Sequence, residues 1–167
     1  PQLFNLLREV VATDTPFLGL CYGMSALTQT LGGVVSKKYS EKVSVIDISL
    51  TAQGITDELL ADLPAVFASC SGHKEATEKM PQGAVLLASS EQCPVHMYKL
   101  GQNVYATQFH PELDLESFVL RLRAYKNSGY FSPDELETLI EEARRHDVSE
   151  VQKILVNFAN RYVTSLR

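Results

Sequence analysis

Two stretches of this chain carry residue types that could do covalent chemistry. The first is residues 15–33, TPFLGLCYGMSALTQTLGG, with Cys21 near its middle. Phe17, Leu18, Gly19 and Leu20 form a short apolar run that reads as a buried strand. Tyr22, Gly23, Met24, Ser25, Ala26 and Leu27 then begin a helical pattern that stops at Gly32 and Gly33. Cys21 therefore falls at a strand-to-helix turn, with Gly19 two residues before it and Gly23 two after. A nucleophile elbow has this form: the reactive side chain rides a strained turn, and small flanking residues let strand and helix approach. The helix N-terminus aims its positive dipole end at the sulfur, which favours a thiolate. The alternative reading is a buried structural cysteine, because free cysteines are among the most buried residues.

The second stretch lies far downstream. Val104, Tyr105, Ala106, Thr107, Gln108 and Phe109 read as a strand that runs into His110-Pro111-Glu112. A histidine at a strand end, with a carboxylate two residues on, can complete a Cys-His-Glu triad with Cys21. His110 would take the thiol proton, and Glu112 would hold the imidazole in one tautomer and stabilise its charged form. Pro111 limits the local backbone and fixes the spacing of the pair. Taken alone, His110 also fits a hydrogen-bonded core histidine.

Gly19-Leu20-Cys21-Tyr22-Gly23-Met24 and Gln108-Phe109-His110-Pro111-Glu112 resemble the two signatures of class I, triad-type glutamine amidotransferases, in their GMP-synthase-like branch. The resemblance covers roughly residues 15–113. A third piece, Ser71-Gly72-His73-Lys74-Glu75-Ala76, is more loosely similar to the family's substrate-binding loop. The resemblance implies an α/β fold with a mostly parallel, flavodoxin-like sheet flanked by helices. It implies Cys21, His110 and Glu112 as the catalytic set. It also implies an oxyanion and substrate site that includes Tyr22, Gly23, Ser25, Gly72, His73 and Lys74. No cofactor and no metal are expected. The expected substrate is glutamine or a related amide, and the expected partner is a separate synthetase that accepts the ammonia.

One position departs from the family. Where it commonly has Gln two residues after the second glycine, this chain has Ser25. Serine cannot reproduce the donor–acceptor pair of an amide. That leaves three outcomes open: glutamine hydrolysis, hydrolysis of another amide or γ-glutamyl compound, and a binding or regulatory module with little turnover.

Composition sets the frame. The 167 residues carry a formal net charge of −5, with 45% hydrophobic and 21% charged residues. This suits a globular chain with a real core. Mild acidity and the lack of a basic stripe argue against nucleic-acid binding. No apolar run approaches the length of a membrane span, and no signal peptide is visible. Three cysteines, Cys21, Cys70 and Cys93, are odd in number and lack C-x-x-C spacing, so neither a disulfide framework nor a zinc site is expected. His73 and Glu75 alone are too few ligands for a metal. A reducing cytoplasm fits this cysteine usage.

The chain opens on a helical pattern, with Leu3, Phe4, Leu6, Leu7, Val10 and Val11 on one face. In the resembling family further βα units precede such a helix. The expectation is therefore that an N-terminal part lies outside this sequence, the alternative being a compact protein with its own start. Between the two signatures, residues 43–50, 65–69, 83–88 and 93–98 read as strands, residues 56–62 as a short helix or turn, and residues 99–103 as a hairpin turn. Residues 71–75 read as a loop, and His96 as a partly buried structural histidine. Residues 1–113 are expected to form the amidotransferase core and residues 114–167 a helical extension packed on it. In that extension Leu115, Phe118, Val119, Leu122 and Tyr125 mark a helix running toward Gly129. Ser132-Pro133-Asp134-Glu135 reads as a helix start ahead of Leu136, Leu139, Ile140 and Ala143. Val151, Ile154, Leu155, Phe158, Ala159, Tyr162 and Leu166 mark a last amphipathic helix.

Overall fold

In the computed structural model, which describes residues 2–163, the opening pattern forms α1 (Gln2–Ala12), and the two halves of the cysteine stretch form β1 (Phe17–Leu20) and α2 (Tyr22–Thr30). There follow β2 (Val34–Ser36), β3 (Glu41–Leu50), the short α3 (Ala52–Ile55), β4 (Val66–His73), β5 (Ala76–Lys79), β6 (Val85–Ser89), β7 (Met97–Leu100) and β8 (Val104–Thr107). Three helices close the described chain: α4 (Leu115–Ala124), α5 (Leu136–Ala143) and α6 (Lys153–Val163). Leu166, assigned to the last helix by its spacing, lies outside the described residues.

Six strands pair in the order β1-β8-β7-β6-β3-β4, and β2 and β5 form a separate two-stranded sheet. The α/β class and the flanking helices are as expected, but the strand directions are not. Only β1 and β8 run parallel, and the other four pairs of the large sheet are antiparallel. The sheet is mixed rather than mostly parallel. The reason is connectivity: a parallel pair needs a long crossover, whereas a short turn such as residues 101–103 between β7 and β8 can only reverse direction.

The sheet is covered on both faces. All four residues of β8 are buried. Val104 and Ala106 pack with Leu7 of α1 and Met24 and Leu27 of α2. Between them Tyr105 joins Leu87, Met97, Phe109 and, from α6, Ile154. This two-residue alternation between clusters explains why β8 reads as a continuous apolar run rather than an amphipathic one. A third cluster joins Cys70 of β4 to Leu113, to Phe118 and Leu122 of α4, and to Ile140 of α5. Of the apolar face foreseen on α1, Leu7 is buried, while Leu3, Phe4 and Leu6 are exposed.

Two local expectations are corrected and a third holds. Residues 71–73 are not loop but the end of β4, held by pairing of Ser71 with Ser44 and His73 with Glu41. The helix expected to run to Gly129 ends at Ala124, where Tyr125 caps it by donating its N–H to Arg121 O. The short helix or turn expected over residues 56–62 is present as a 3-10 turn at Glu58–Leu60, preceded by α3.

Asp14 ties β1 to the β7–β8 hairpin. Its carboxylate accepts from Gln102 N at 3.1 Å, Asn103 N at 3.0 Å and Asn103 Nδ2 at 3.1 Å. The left-handed Gly101, at φ 58°, lies so close to Asp14 that a Cβ there would fall 2.5 Å from Oδ1. Asp14→Ala is expected to lower stability by about 1–3 kcal/mol, through the loss of charge-assisted bonds to turn N–H groups. A urea unfolding midpoint unchanged from wild type would contradict this.

Candidate active site

β1 delivers Cys21 to the turn before α2. Register fixes its place: Leu20 pairs with Thr107, and Cys21 N donates to Thr107 O at 2.7 Å. Cys21 has φ 47° and ψ −96°, a conformation that side-chain-bearing residues rarely adopt. Such strain costs about 1–3 kcal/mol and persists only where the surroundings enforce it. The two flanking glycines are not equivalent. A Cβ on Gly19 would sit 2.8 Å from the Phe17 ring and 3.1 Å from the Gly23 carbonyl carbon, whereas one on Gly23 would meet nothing within 4 Å. Close packing of strand and helix thus requires glycine at position 19 and not at 23.

α2 begins at Tyr22, so its first-turn N–H groups have no intrahelical partner and can receive negative charge at the turn. The first backbone bond here runs from Ser25 N to Cys21 O at 3.2 Å. The Tyr22 side chain is 71% exposed and points away from the core.

β8 delivers His110 from the neighbouring strand. Its N–H donates to Cys70 O at 2.9 Å, which anchors it to β4 as well. Nδ1 lies 2.7 Å from Glu112 Oε1, and His110 and Cys21 line the same cavity. Burial works against a charged ring, but the bonds and charges of Cys21 and Glu112 outweigh it and raise His110 to about 9. Glu112 is shifted the opposite way: burial would raise it, and the His110 contact, with Arg121 nearby, holds it below the ordinary carboxylate value. Arg121 Nη1 lies 3.8 Å from Glu112 Oε1.

Gln108 was not singled out from the sequence. Its Nε2 lies 3.6 Å from Cys21 Sγ, while its N–H donates to His96 O at 2.8 Å. The signal was present, since Gln108 opens the segment that carries His110. Its inward direction depends on the strand register, which local pattern does not reveal.

A cavity of about 250 Å³ opens above these groups, and Cys21, Ser71, Gly72, His110 and Arg121 line it. Its far wall comes from Tyr125, Tyr130 and Phe131, in the segment after α4. The remaining expected site residues are placed as follows. Ser25 is half-buried on α2 and does not line the cavity. Gly72 lines it, but the space a Cβ would need is filled by Val43, 2.7 Å away, so strand packing alone demands glycine there. His73 turns away from the cavity to Glu41, at 2.9 Å. Lys74 is exposed, and its Nζ sits 4.7 Å from the centre of the Tyr130 ring. His96, expected to be partly buried, is fully buried and lies 3.1 Å from Glu41.

The other two thiols are unlike Cys21. Burial, reinforced by the charges of Glu112 and Asp114, pushes Cys70 up to about 12. Burial pushes Cys93 up to about 11. Cys21 alone among the three is partly exposed.

Residues 1–122 match the family described as Glutamine amidotransferase class-I. The chain is 43% identical over 104 residues to a GMP synthase [glutamine-hydrolyzing] of Dehalococcoides mccartyi, covering 62% of this chain and 19% of that protein. It is 28% identical over 148 residues to the protein of the same name from Borrelia garinii subsp. bavariensis, covering 84% and 28%. The chain thus spans between 19% and 28% of the length of these curated relatives. A crystal structure of a glutamine amidotransferase from Thermotoga maritima superposes with TM-score 0.79 at 22% identity, over 95% of this chain and 66% of that one. One from Methylobacillus flagellatus gives 0.75 at 20% identity, over 100% and 70%. At these identities the two structures establish the fold alone.

Exposure and local charge give the three thiols different reactivities. Alkylation by iodoacetamide at pH 7 is expected to modify Cys21 at least about ten times faster than Cys70 or Cys93, because the thiolate is the reacting form. Peptide mapping by mass spectrometry reads this directly. Equal rates at the three positions would remove the case for Cys21 as a nucleophile.

Proposed function

Because the chain belongs to the class-I glutamine amidotransferase family, we propose that it hydrolyses the side-chain amide of glutamine through Cys21, His110 and Glu112 and releases ammonia. One observation carries this reading: a strained Cys21 in contact with a histidine whose other nitrogen is held by Glu112 at 2.7 Å. With the thiol proton already held on His110, Sγ attacks the amide carbon. The oxyanion that forms is met by the Tyr22 N–H at the start of α2. His110 then protonates the departing nitrogen, which leaves as ammonia, and a γ-glutamyl thioester remains. A water molecule, deprotonated by His110, attacks the thioester. Glutamate leaves and the thiol is restored. Gln108 Nε2 steadies the sulfur through the cycle.

Arg121 is the one permanently cationic side chain among the described cavity-lining residues. It suits the α-carboxylate of the substrate. The ammonia is consumed by an acceptor-activating synthetase carried on another chain or domain. The relatives' name, GMP synthase, favours an enzyme of that kind. No described helix is long and apolar enough to cross a membrane.

A second reading has its own support. Tyr125, Tyr130 and Phe131 line the cavity from beyond the segment matched by the family, and Ser25 contributes nothing to it. An aromatic wall of this kind fits a γ-glutamyl compound or an amide with an apolar substituent as well as glutamine.

The deciding experiment is intact-mass analysis after treatment with an electrophilic glutamine analogue. A single adduct on Cys21, blocked by excess glutamine, is expected. An adduct blocked only by γ-glutamyl amides would select the second reading, and no adduct from folded protein would sink both. Cys21→Ala is expected to abolish ammonia release, and Glu112→Gln to lower kcat by about 10²-fold or more, since the base loses its orienting carboxylate. His110 is raised, so its charged form persists to about pH 9. As pH rises through that value the proton needed by the departing nitrogen is lost, and kcat/KM is expected to fall. A profile that is still rising at pH 10 would contradict the role given to His110.

A further inference from the structure

Behind the cavity lies a second group of chemistry-bearing side chains that the proposed reaction does not use. One ring nitrogen of His73, one of His96 and the sulfur of Cys93 all lie within 4.8 Å of one another. All three residues are buried: His96 and Cys93 are 0% exposed and His73 is 6%. From these placements we infer that His73, His96 and Cys93 form a buried binding site for a zinc-type cation.

The argument begins with unmet hydrogen bonding. His73 Nδ1 and both ring nitrogens of His96, Nδ1 and Nε2, are buried without a hydrogen-bond partner. A buried polar atom left in that state costs about 1–3 kcal/mol, so a protein seldom keeps three of them without a use. The two Nε2 atoms face a carboxylate. Glu41 Oε2 lies 2.9 Å from His73 Nε2 and 3.1 Å from His96 Nε2. When His73 Nε2 donates to that carboxylate, its Nδ1 presents a bare lone pair, which is the form that binds metal. A carboxylate holding the far side of a ligating histidine is the usual outer-shell arrangement. Ser71 and Ser90 donate to the same carboxylate at 3.1 and 2.9 Å, so Glu41 is itself fixed.

Cys93 supplies the soft donor. Its sulfur has only a weak contact, to Val95 O at 3.6 Å. Two imidazoles and a thiolate select zinc over magnesium or calcium, which prefer oxygen ligands. Charge also balances: the cation's two positive charges meet one thiolate and the Glu41 carboxylate, and nothing uncompensated remains in the core. A tetrahedral zinc ion holds its donors about 3.3–3.8 Å apart. The present spread, up to 4.8 Å, exceeds this by about 1 Å.

The site is structural in kind, because its ligands are buried and open to no cavity described here. The ion would clamp the end of β4 to the residues leading into β7. Cys93-Pro94-Val95-His96 has the two-residue spacing common in zinc ligands, but the third ligand, His73, is reached only through the pairing of β3 with β4. The inference does not depend on the reaction proposed for Cys21.

The test uses the full chain, stripped of metal with a chelator, then titrated with Zn²⁺ against a chromophoric competitor and separately with Co²⁺ as a spectroscopic probe. One tight equivalent of zinc is expected, equally in wild type and in Cys21→Ser, together with a thiolate-to-cobalt absorption in the near ultraviolet. Cys93→Ser should abolish that absorption, and both it and His96→Gln should weaken zinc binding by about 100-fold. Should Cys93→Ser fail to fold, the cobalt spectrum of Cys21→Ser and the zinc affinity of His96→Gln decide the matter. Folded wild type that binds no equivalent of zinc would overturn the inference. So would a cobalt absorption that disappears in Cys21→Ser, or unchanged affinity in His96→Gln.

Discussion

The parallel pairing of β1 with β8 is the constraint on which the rest depends. It sets Leu20 opposite Thr107, and from that register Cys21 and His110 leave adjacent strand ends on the same side of the sheet. A slip of one residue would move the sulfur by about 3.3 Å and turn alternate side chains to the wrong face. Both faces of β8 are filled, by Val104 and Ala106 on one side and Tyr105 on the other, so such a slip would empty two core clusters together. Packing remote from the sulfur therefore secures its position, and the strained backbone at Cys21 is held by that same packing.

Much of this was legible in the residues, and the failures have physical causes. The turn at Cys21 and the hairpin before His110 are written locally, in glycine placement and in apolar runs of strand length. The directions of the strands are not written locally. Apolar runs buried on both faces look alike in parallel and antiparallel sheets, and so the sheet read as mostly parallel when four of its five pairings are antiparallel. Residues 71–73 read as loop because serine, glycine and histidine are weak strand formers. Their pairing with β3 overrides that preference, and Val43 occupies the space that makes Gly72 necessary. His73 and His96 looked like isolated histidines because their common partner, Glu41, sits more than thirty positions before the nearer of them.

The fold holds two carboxylate–histidine groups. His110 lines the cavity with Glu112 behind it, and Arg121 and solvent moderate their charge. Glu41, His73 and His96 are enclosed, and the histidine contacts, with Ser90, hold Glu41 well below the ordinary carboxylate range despite burial. Ser71 joins the two settings: its hydroxyl donates to Glu41, and it lines the cavity that His110 enters. Similar residue types thus act differently according to access to water, which decides whether a proton can be exchanged or must stay where folding put it.

The aromatic wall of Tyr125, Tyr130 and Phe131 belongs to a stretch that contributes none of the reacting groups. What reaches the sulfur and what the sulfur does are thus encoded in separate parts of the chain. Substitution in residues 125–131 can reshape the entrance while Cys21, His110 and Glu112 keep their geometry, so a lineage carrying this fold is free to change its diet without reinventing its chemistry.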